Sequence, residues 1–318
     1  MGEQIDPLRE MEAYRMASME PATKQANRGG AADGRRPDRS AVAMVAWWSR
    51  DGRSGGRTRS VTGETRSPRG GRRWRGRPPP PDRETRGKTA PNRLRRVDHL
   101  LALWDPDLLR RRDGAFAAAP FVDLGFGESP VTTLELARRL QRVAPGLPVI
   151  GVENDRSRVR TAIRCTESTD PPTAAGLEPP PRFLVGGFDL GDAAPARGIR
   201  AFNVLRQYEE ADVGPAYRAM GEAILPGGLI VEGTSDPSGR VWTAMIVRRG
   251  GEGAATGAGG APDVELTVEA LVFGTNFRAS LDAETFQAVL PKRLIHRVVP
   301  GEPVHGFMAD WARLRRIE

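Results

Sequence analysis

The stretch "FVDLGFGESPVTTLELARRL", residues 121 to 140, constrains the fold more than any other part of the chain. A short apolar run ends in two closely spaced glycines, and a segment with Val131, Leu134, Ala137 and Leu140 on one helical face follows at once. This is a strand, a tight turn and a helix. Gly125 and Gly127 permit a backbone geometry and a close approach that side chains would block. Ser129 fits an N-cap and Pro130 the first helical position. Such turns hold either a dinucleotide pyrophosphate or another nucleotide-like cofactor, and the surrounding residues decide between them.

The alternation continues in both directions. Upstream, "RVDHLLALWDPDLLRRR" places Val97, Leu100, Leu101, Trp104 and Leu108 at helical spacing, interrupted by Pro106. Downstream, "PVIGVEND" predicts a second strand ending at Glu153 and "RSRVRTAIRCT" a helix. "RFLVGGF" and "IRAFNVLRQY" predict a third and fourth strand, "GPAYRAMGEAIL" a helix and "GGLIVEG" a fifth strand. This order predicts an α/β fold, a Rossmann-like, doubly wound, mostly parallel sheet with helices on both faces.

Two further runs, "VWTAMIVRR" and "DVELTVEALVF", flank a Gly/Ala loop and read as paired antiparallel C-terminal strands. In the second, Val264, Leu266, Val268, Ala270 and Val272 are expected on one face, and Glu265, Thr267 and Glu269 on the other. Short helices are expected near 282 to 290 and 306 to 316.

Charge divides the chain in two. Residues 1 to 96 carry 23 Lys and Arg against 11 Asp and Glu, whereas residues 97 to 318 carry 25 against 29. The first part is rich in Arg, Gly, Pro and Ser and poor in core formers, so residues 1 to 92 are expected to be a disordered tail before a folded domain at 93 to 318. Two readings of the tail stand. It is a nonspecific RNA or DNA binder whose arginines neutralise phosphates and whose Trp74 stacks on a base, or it is a passive extension or the product of an upstream start chosen wrongly.

The apolar run "AVAMVAWW" at 41 to 48 is too short to span a bilayer and lies too far from the start for an ordinary signal peptide. Cys165 is the single cysteine, which excludes an internal disulfide and a thiolate metal cluster. A cytoplasmic protein is expected, with no metal site and no membrane contact.

Around the glycine turn, Pro130 occupies the third-glycine position of a G-x-G-x-x-G fingerprint, so the dinucleotide pattern is incomplete. Asp123 would repel a pyrophosphate, but its carboxylate can hydrogen-bond an ammonium group, directly or through water. A cofactor with a cationic amino-acid end therefore fits better than a dinucleotide.

At this point Asp123-Leu124-Gly125-Phe126-Gly127 resembles the acidic-x-Gly-x-Gly first motif of the class I S-adenosylmethionine-dependent methyltransferases. Glu128 and Ser129 stand where many members have a small residue and a third glycine. The resemblance spans roughly residues 97 to 275. It implies S-adenosyl-L-methionine as cofactor, held by Asp123, Gly125, Phe126 and Gly127. It implies ribose binding by Glu153, with Asn154 beside it, since two acceptor oxygens suit a vicinal diol. It also implies Phe188 packing on the adenine and Asp189 beside the adenine amino group.

Ligands in doubly wound sheets sit beyond the carboxyl ends of the strands. The end of the fourth strand is therefore expected to deliver Asn203, Arg206 and Tyr208 to the reacting groups, with Gln207 near the same edge. Arg206 would bind an anionic substrate and Tyr208 would orient or stack on it. No Asn-Pro-Pro-Tyr tetrapeptide is present, and His296 and His305 read as structural. Transfer from a sulfonium needs alignment more than a general base. The expectation is a methyltransferase with a small-molecule acceptor. The alternatives are an RNA methyltransferase anchored by the basic tail, and a regulatory protein that binds the cofactor without catalysis.

Overall fold

Apolar strand segments separated by amphipathic ones leave the chain one economical arrangement, a central sheet with a helical layer on each side. The computed structural model describes residues 42–46, 89–167, 174, 176–251, 264–276 and 281–314, all within one compact unit, Ser40–Glu318. Its strands are β1 (Val42–Ala46), β2 (Phe121–Leu124), β3 (Val149–Glu153), β4 (Arg182–Val185), β5 (Ala196–Phe202), β6 (Ile224–Ser235), β7 (Val241–Arg249) and β8 (Leu266–Thr275). They form one sheet in the order β1-β8-β7-β6-β5-β2-β3-β4. Strands β4, β3, β2, β5 and β6 are mutually parallel, and β7, β8 and β1 add antiparallel ladders. This is the expected mostly parallel sheet with antiparallel strands at its C-terminal side.

The helices are α1 (Arg95–Trp104), α2 (Pro106–Arg110), α3 (Val131–Val143), α4 (Arg156–Glu167), α5 (Glu210–Ala223), α6 (Ala283–Gln287), α7 (Lys292–Ile295) and α8 (Pro303–Leu314). Pro106 divides the lead-in helix as expected. It opens α2, and the Asp105 carboxylate caps it by accepting the Leu108 N–H at 2.9 Å. On one face of the sheet, Val97 and Leu101 of α1 and Leu136, Ala137 and Leu140 of α3 pack with Phe121, Val149 and Val231. On the other, Val213, Tyr217 and Met220 of α5 pack with Val122, Ile199, Ile230 and Met245. The C-terminal helices add an aromatic cluster in which Phe273 of β8 meets Phe286, Phe307 and Trp311.

Two details differ from the sequence expectation. Helix α3 begins at Val131 rather than Pro130, with Pro130 at the cap position and Ser129 making only a long 3.4 Å bond to the Val131 N–H.

In β8 the expected single apolar face is broken. The pairing with β7 slips between Ile246 and Val247, so that Glu269 is the extra residue of a β-bulge. Leu266 and Val268 pack with the α5 side while Ala270 and Val272 pack with the α1 side. The bulge sends Glu269 to Arg248, which it meets in a very short contact, and to the Trp104 Nε1–H at 3.0 Å.

Most of the expected 1–92 tail lies outside the described residues. Residues 42–46 of its apolar run form β1, which pairs antiparallel with β8 and covers its edge.

Candidate functional site

Strand β2 has β3 on one side and β5 on the other, so the chain reverses its direction of travel across the sheet there. At such a switch point the loops beyond the carboxyl ends splay apart and leave a crevice. The glycine turn forms one wall. Gly125 has φ +71° and Gly127 φ +82°, a left-handed backbone that other residues adopt only with strain. The Gly125 N–H donates to the Val152 carbonyl at 2.7 Å and ties the turn to β3.

Glu153, at the end of β3, is buried beside this turn. Its Oε2 accepts the Gly127 N–H at 2.9 Å and its Oε1 the Asn154 N–H at 3.0 Å. These two bonds fix the orientation of the Glu153 carboxylate. Asn154 serves here through its backbone.

Asp123 has a different role from the one expected. The residue opposite it in the β2–β5 ladder is Arg200, whose Nε and second guanidinium nitrogen reach Oδ1 and Oδ2 at 3.0 and 2.6 Å. Thr133 adds a hydroxyl bond to Oδ2 at 2.7 Å. Arg200 also pairs closely with Asp98 of α1, which in turn takes Arg139 of α3 at 2.6 Å. Burial alone would lower the Arg200 pKa, but the two carboxylates outweigh it and hold the group charged. Burial raises the Asp98 carboxyl, against the pull of Arg200 and Arg139. Asp123 lines the crevice, but with its charge already compensated, so any attraction for an ammonium group is a fraction of that of a free carboxylate.

Residues 89–94 run across the crevice, which the sequence does not reveal. The Thr89 hydroxyl donates to the Phe126 carbonyl at 3.2 Å, and the Asn92 N–H donates to the Glu135 carboxylate at 2.8 Å. Arg93 reaches the far wall, where its guanidinium donates to the Ser235 Oγ, the Ser235 carbonyl and the Asp236 carbonyl, each at 3.1 Å. Burial lowers its pKa, against the opposing charge of Asp236. Under this strap the crevice encloses about 50 Å³, with Asn203 and Gln207 on its β5 side. A larger open groove of about 440 Å³ lies at the opposite, amino end of β6, between Asp105, Arg110, Gly227 and Arg248. Its Arg248 is consumed by Asp105 and Glu269.

The residues expected beyond the fourth strand divide. Asn203 faces the crevice with φ +62°, and its side chain clasps Ser235 through the Ser235 N–H at 3.0 Å and Oγ at 3.3 Å. Arg206 turns away to the carbonyls of Ala288 and Leu290, both at 3.2 Å, and so anchors the C-terminal helices. Tyr208 is buried and packs edge-on against Phe188, ring centroids 5.1 Å apart. The cause is the 3-10 turn Leu205–Gln207, which rotates successive side chains out of the strand's two-residue alternation.

Phe188 is thus a core residue rather than a free ring for stacking, and Asp189 is exposed, its carboxylate accepting the Gly191 N–H at 3.3 Å in a turn. Phe126 lines the crevice but also packs edge-on against Phe183, backed by Val159 and Ala162 of α4.

Beside the site, the fully buried Glu232 of β6 accepts the Tyr217 hydroxyl at 3.1 Å, while its Oε1 and the nearby Thr234 hydroxyl have no hydrogen-bond partner among the described residues. Burial pushes the Glu232 carboxyl up to about 7, against Tyr217, Arg206 and Arg293.

No protein-family model matches the chain, and no curated protein matches it. Among solved structures it is similar to a protein from Galdieria sulphuraria described as a sarcosine dimethylglycine methyltransferase, at 16% identity and TM-score 0.32 over 44% of this chain and 46% of that one. It is also similar to an S-adenosylmethionine-bound amino pentose methyltransferase from Micromonospora echinaspora, at 16% and 0.30 over 59% and 78%. A third is the magnesium protoporphyrin IX methyltransferase of Synechocystis with bound S-adenosylhomocysteine, at 17% and 0.30 over 44% and 57%. The chain spans less than two thirds of the first and third of these proteins. Among the described residues no helix is long and apolar enough to cross a membrane.

Proposed function

We propose that this chain is an S-adenosyl-L-methionine-dependent methyltransferase acting on a small-molecule acceptor in the switch-point crevice. The observation that carries the reading is Glu153. Its carboxylate stands at the end of the strand next to the glycine turn and is oriented by the Gly127 and Asn154 N–H groups. Two carboxylate acceptor oxygens at that strand end suit the two hydroxyls of a ribose. The positive-φ glycines leave the turn open to close approach. A sulfonium cofactor would bring a methyl group already activated for transfer.

The protein's part is then alignment. Asn203, Gln207 and the Ser235 hydroxyl offer neutral hydrogen-bonding groups at the crevice mouth, and these would orient an acceptor. Arg93 places a cation beside the turn, suited to a carboxylate. Asp123, compensated by Arg200, shapes the turn floor. The space of about 50 Å³ is far below the few hundred Å³ typical of a ligand site, so binding requires residues 89–94 to move outward.

The test is calorimetric titration of the full-length chain with S-adenosylhomocysteine, with NAD as a competing ligand and Glu153→Ala as the variant. Micromolar binding of S-adenosylhomocysteine that falls at least tenfold in the variant is expected. Binding of NAD instead, or of neither ligand, overturns the reading.

A further inference from the structure

Helix α4 starts three residues after Glu153, and its inner face, Val159 and Ala162, backs the glycine turn through Phe126. Its outer face is different in kind. The exposed positions of the helix are Arg156, Ser157, Arg160, Arg164 and Glu167. The three arginines recur every four residues, so they form one ridge, with about 6 Å of helix rise between neighbours. Arg156 and Arg160 make no hydrogen bond or ion pair among the described residues, and Arg164 makes only a long 3.4 Å bond to the Thr161 hydroxyl. Arg158, on the flank, is taken by Asp155. Helices α3 and α4 together hold seven arginines against two glutamates, in a region from residue 97 onward that is acidic overall.

We propose that the Arg156–Arg160–Arg164 ridge of α4 docks the phosphate backbone of a single-stranded nucleic acid. The spacing of the arginines is of the order of the phosphate-to-phosphate distance along an extended strand, and one row of cations tracks one strand. Guanidinium groups suit phosphate oxygens in geometry as well as charge. An anionic membrane is the poorer match, because surface-binding helices place large apolar side chains beside their basic ones, and the outer face of α4 exposes none. With no aromatic residue on that face, the contact reads backbone rather than sequence. The ridge is independent of the cofactor reading, since none of its arginines touches the crevice.

The experiment uses the full-length chain and its Arg156→Glu/Arg160→Glu/Arg164→Glu variant, with labelled 20-nucleotide oligo(U) and oligo(dT) titrated at several salt concentrations. Wild-type binding should weaken with salt, and the variant should bind at least tenfold more weakly at low salt. Its log–log salt slope should be smaller by about 2, from a slope of about −0.7 per phosphate neutralised on a single strand. Loss with oligo(U) alone would name RNA as the partner, and loss with both would name either polymer. Unchanged affinity and slope would overturn the proposal and assign any binding to the basic N-terminal region. Equal loss of binding to vesicles containing phosphatidylserine would overturn it in favour of a general anionic surface. If the glutamate variant melts at a lower temperature than wild type, the Arg→Gln triple gives the same readings without new charge. S-adenosylhomocysteine affinity should be the same in all of them.

Discussion

Arg200 of β5 lies directly across the parallel ladder from Asp123 of β2, and its guanidinium grips both oxygens of that carboxylate at 3.0 and 2.6 Å. Both side chains are buried, and Asp98 closes the cluster from the helix above. The glycine turn therefore stands on an ion network that joins two strands and two helices.

Removing the central cation should be expensive. In Arg200→Met, Asp123 loses its cationic partner and Asp98 keeps only Arg139, and a buried pair broken this way costs about 3–5 kcal/mol. Urea unfolding monitored by circular dichroism should show that loss. Adding Asp98→Asn and Asp123→Asn to the same chain should restore a large part of it, and no restoration would mean that packing, not charge, holds the network.

Glu232 makes stability fall with pH. Its carboxyl is raised from an ordinary 4.5 to about 7 in the folded chain, so between those values the native state holds a proton that the unfolded state has lost. The stability gradient is then negative, and about 3 kcal/mol, by the linkage of pKa to stability, is lost between pH 4.5 and pH 7 through this group alone. Urea midpoints of wild type at pH 5 and pH 8 should differ more than those of Glu232→Gln. Parallel pH profiles for the two proteins would exclude the effect.

Arg93 latches the 89–94 strap to the opposite wall by three hydrogen bonds from one cation. With about 1.5 kcal/mol or more at stake for charged donors, Arg93→Ala should raise amide exchange over residues 89–96 about tenfold. S-adenosylhomocysteine should also leave faster, as seen by stopped-flow fluorescence. Unaltered exchange would show that the Thr89 and Asn92 contacts hold the strap without it.

The extra residue in β8 offers a sharper contrast. Glu269→Ala keeps the bulge and loses the bonds to Arg248 and Trp104, at about 1–3 kcal/mol. Deleting Glu269 removes the same bonds and the bulge itself, yet every cross-strand pair and face is kept, because Val268 and Ala270, already on opposite faces, become neighbours in a regular ladder. Both variants should unfold cooperatively at lowered thermal midpoints, and a deletion that abolished cooperativity would show that the bulge, and not only the bonds of Glu269, is required.

The sequence made the alternation of strands and helices legible, because apolar periodicity and the Gly, Pro and Asp punctuation are local signals. Asp123 and Glu153 could be placed at adjacent strand ends for the same reason. What could not be read was set by register. Nothing near Arg200 names Asp123 as its partner 77 positions away, although an arginine inside the apolar run "GIRAF" is itself a sign of a buried anion. Tyr208 and Phe188 were misplaced because a single 3-10 turn after β5 points Tyr208 inward, and the strap was missed because it lies beside a charge-rich segment with no periodicity of its own.

Arg197, at the start of β5, donates to the carbonyls of Leu108, Leu109, Arg111, Phe116 and Ala119 and to no carboxylate among the described residues. Every one of those partners is an atom that all twenty amino acids share. A lineage carrying this fold can therefore rewrite the exposed side chains of residues 110–115, 117 and 118 at little cost to the loop's shape, while the one arginine that gathers the loop cannot drift. Divergence between descendants should collect in that loop and leave its hub in place.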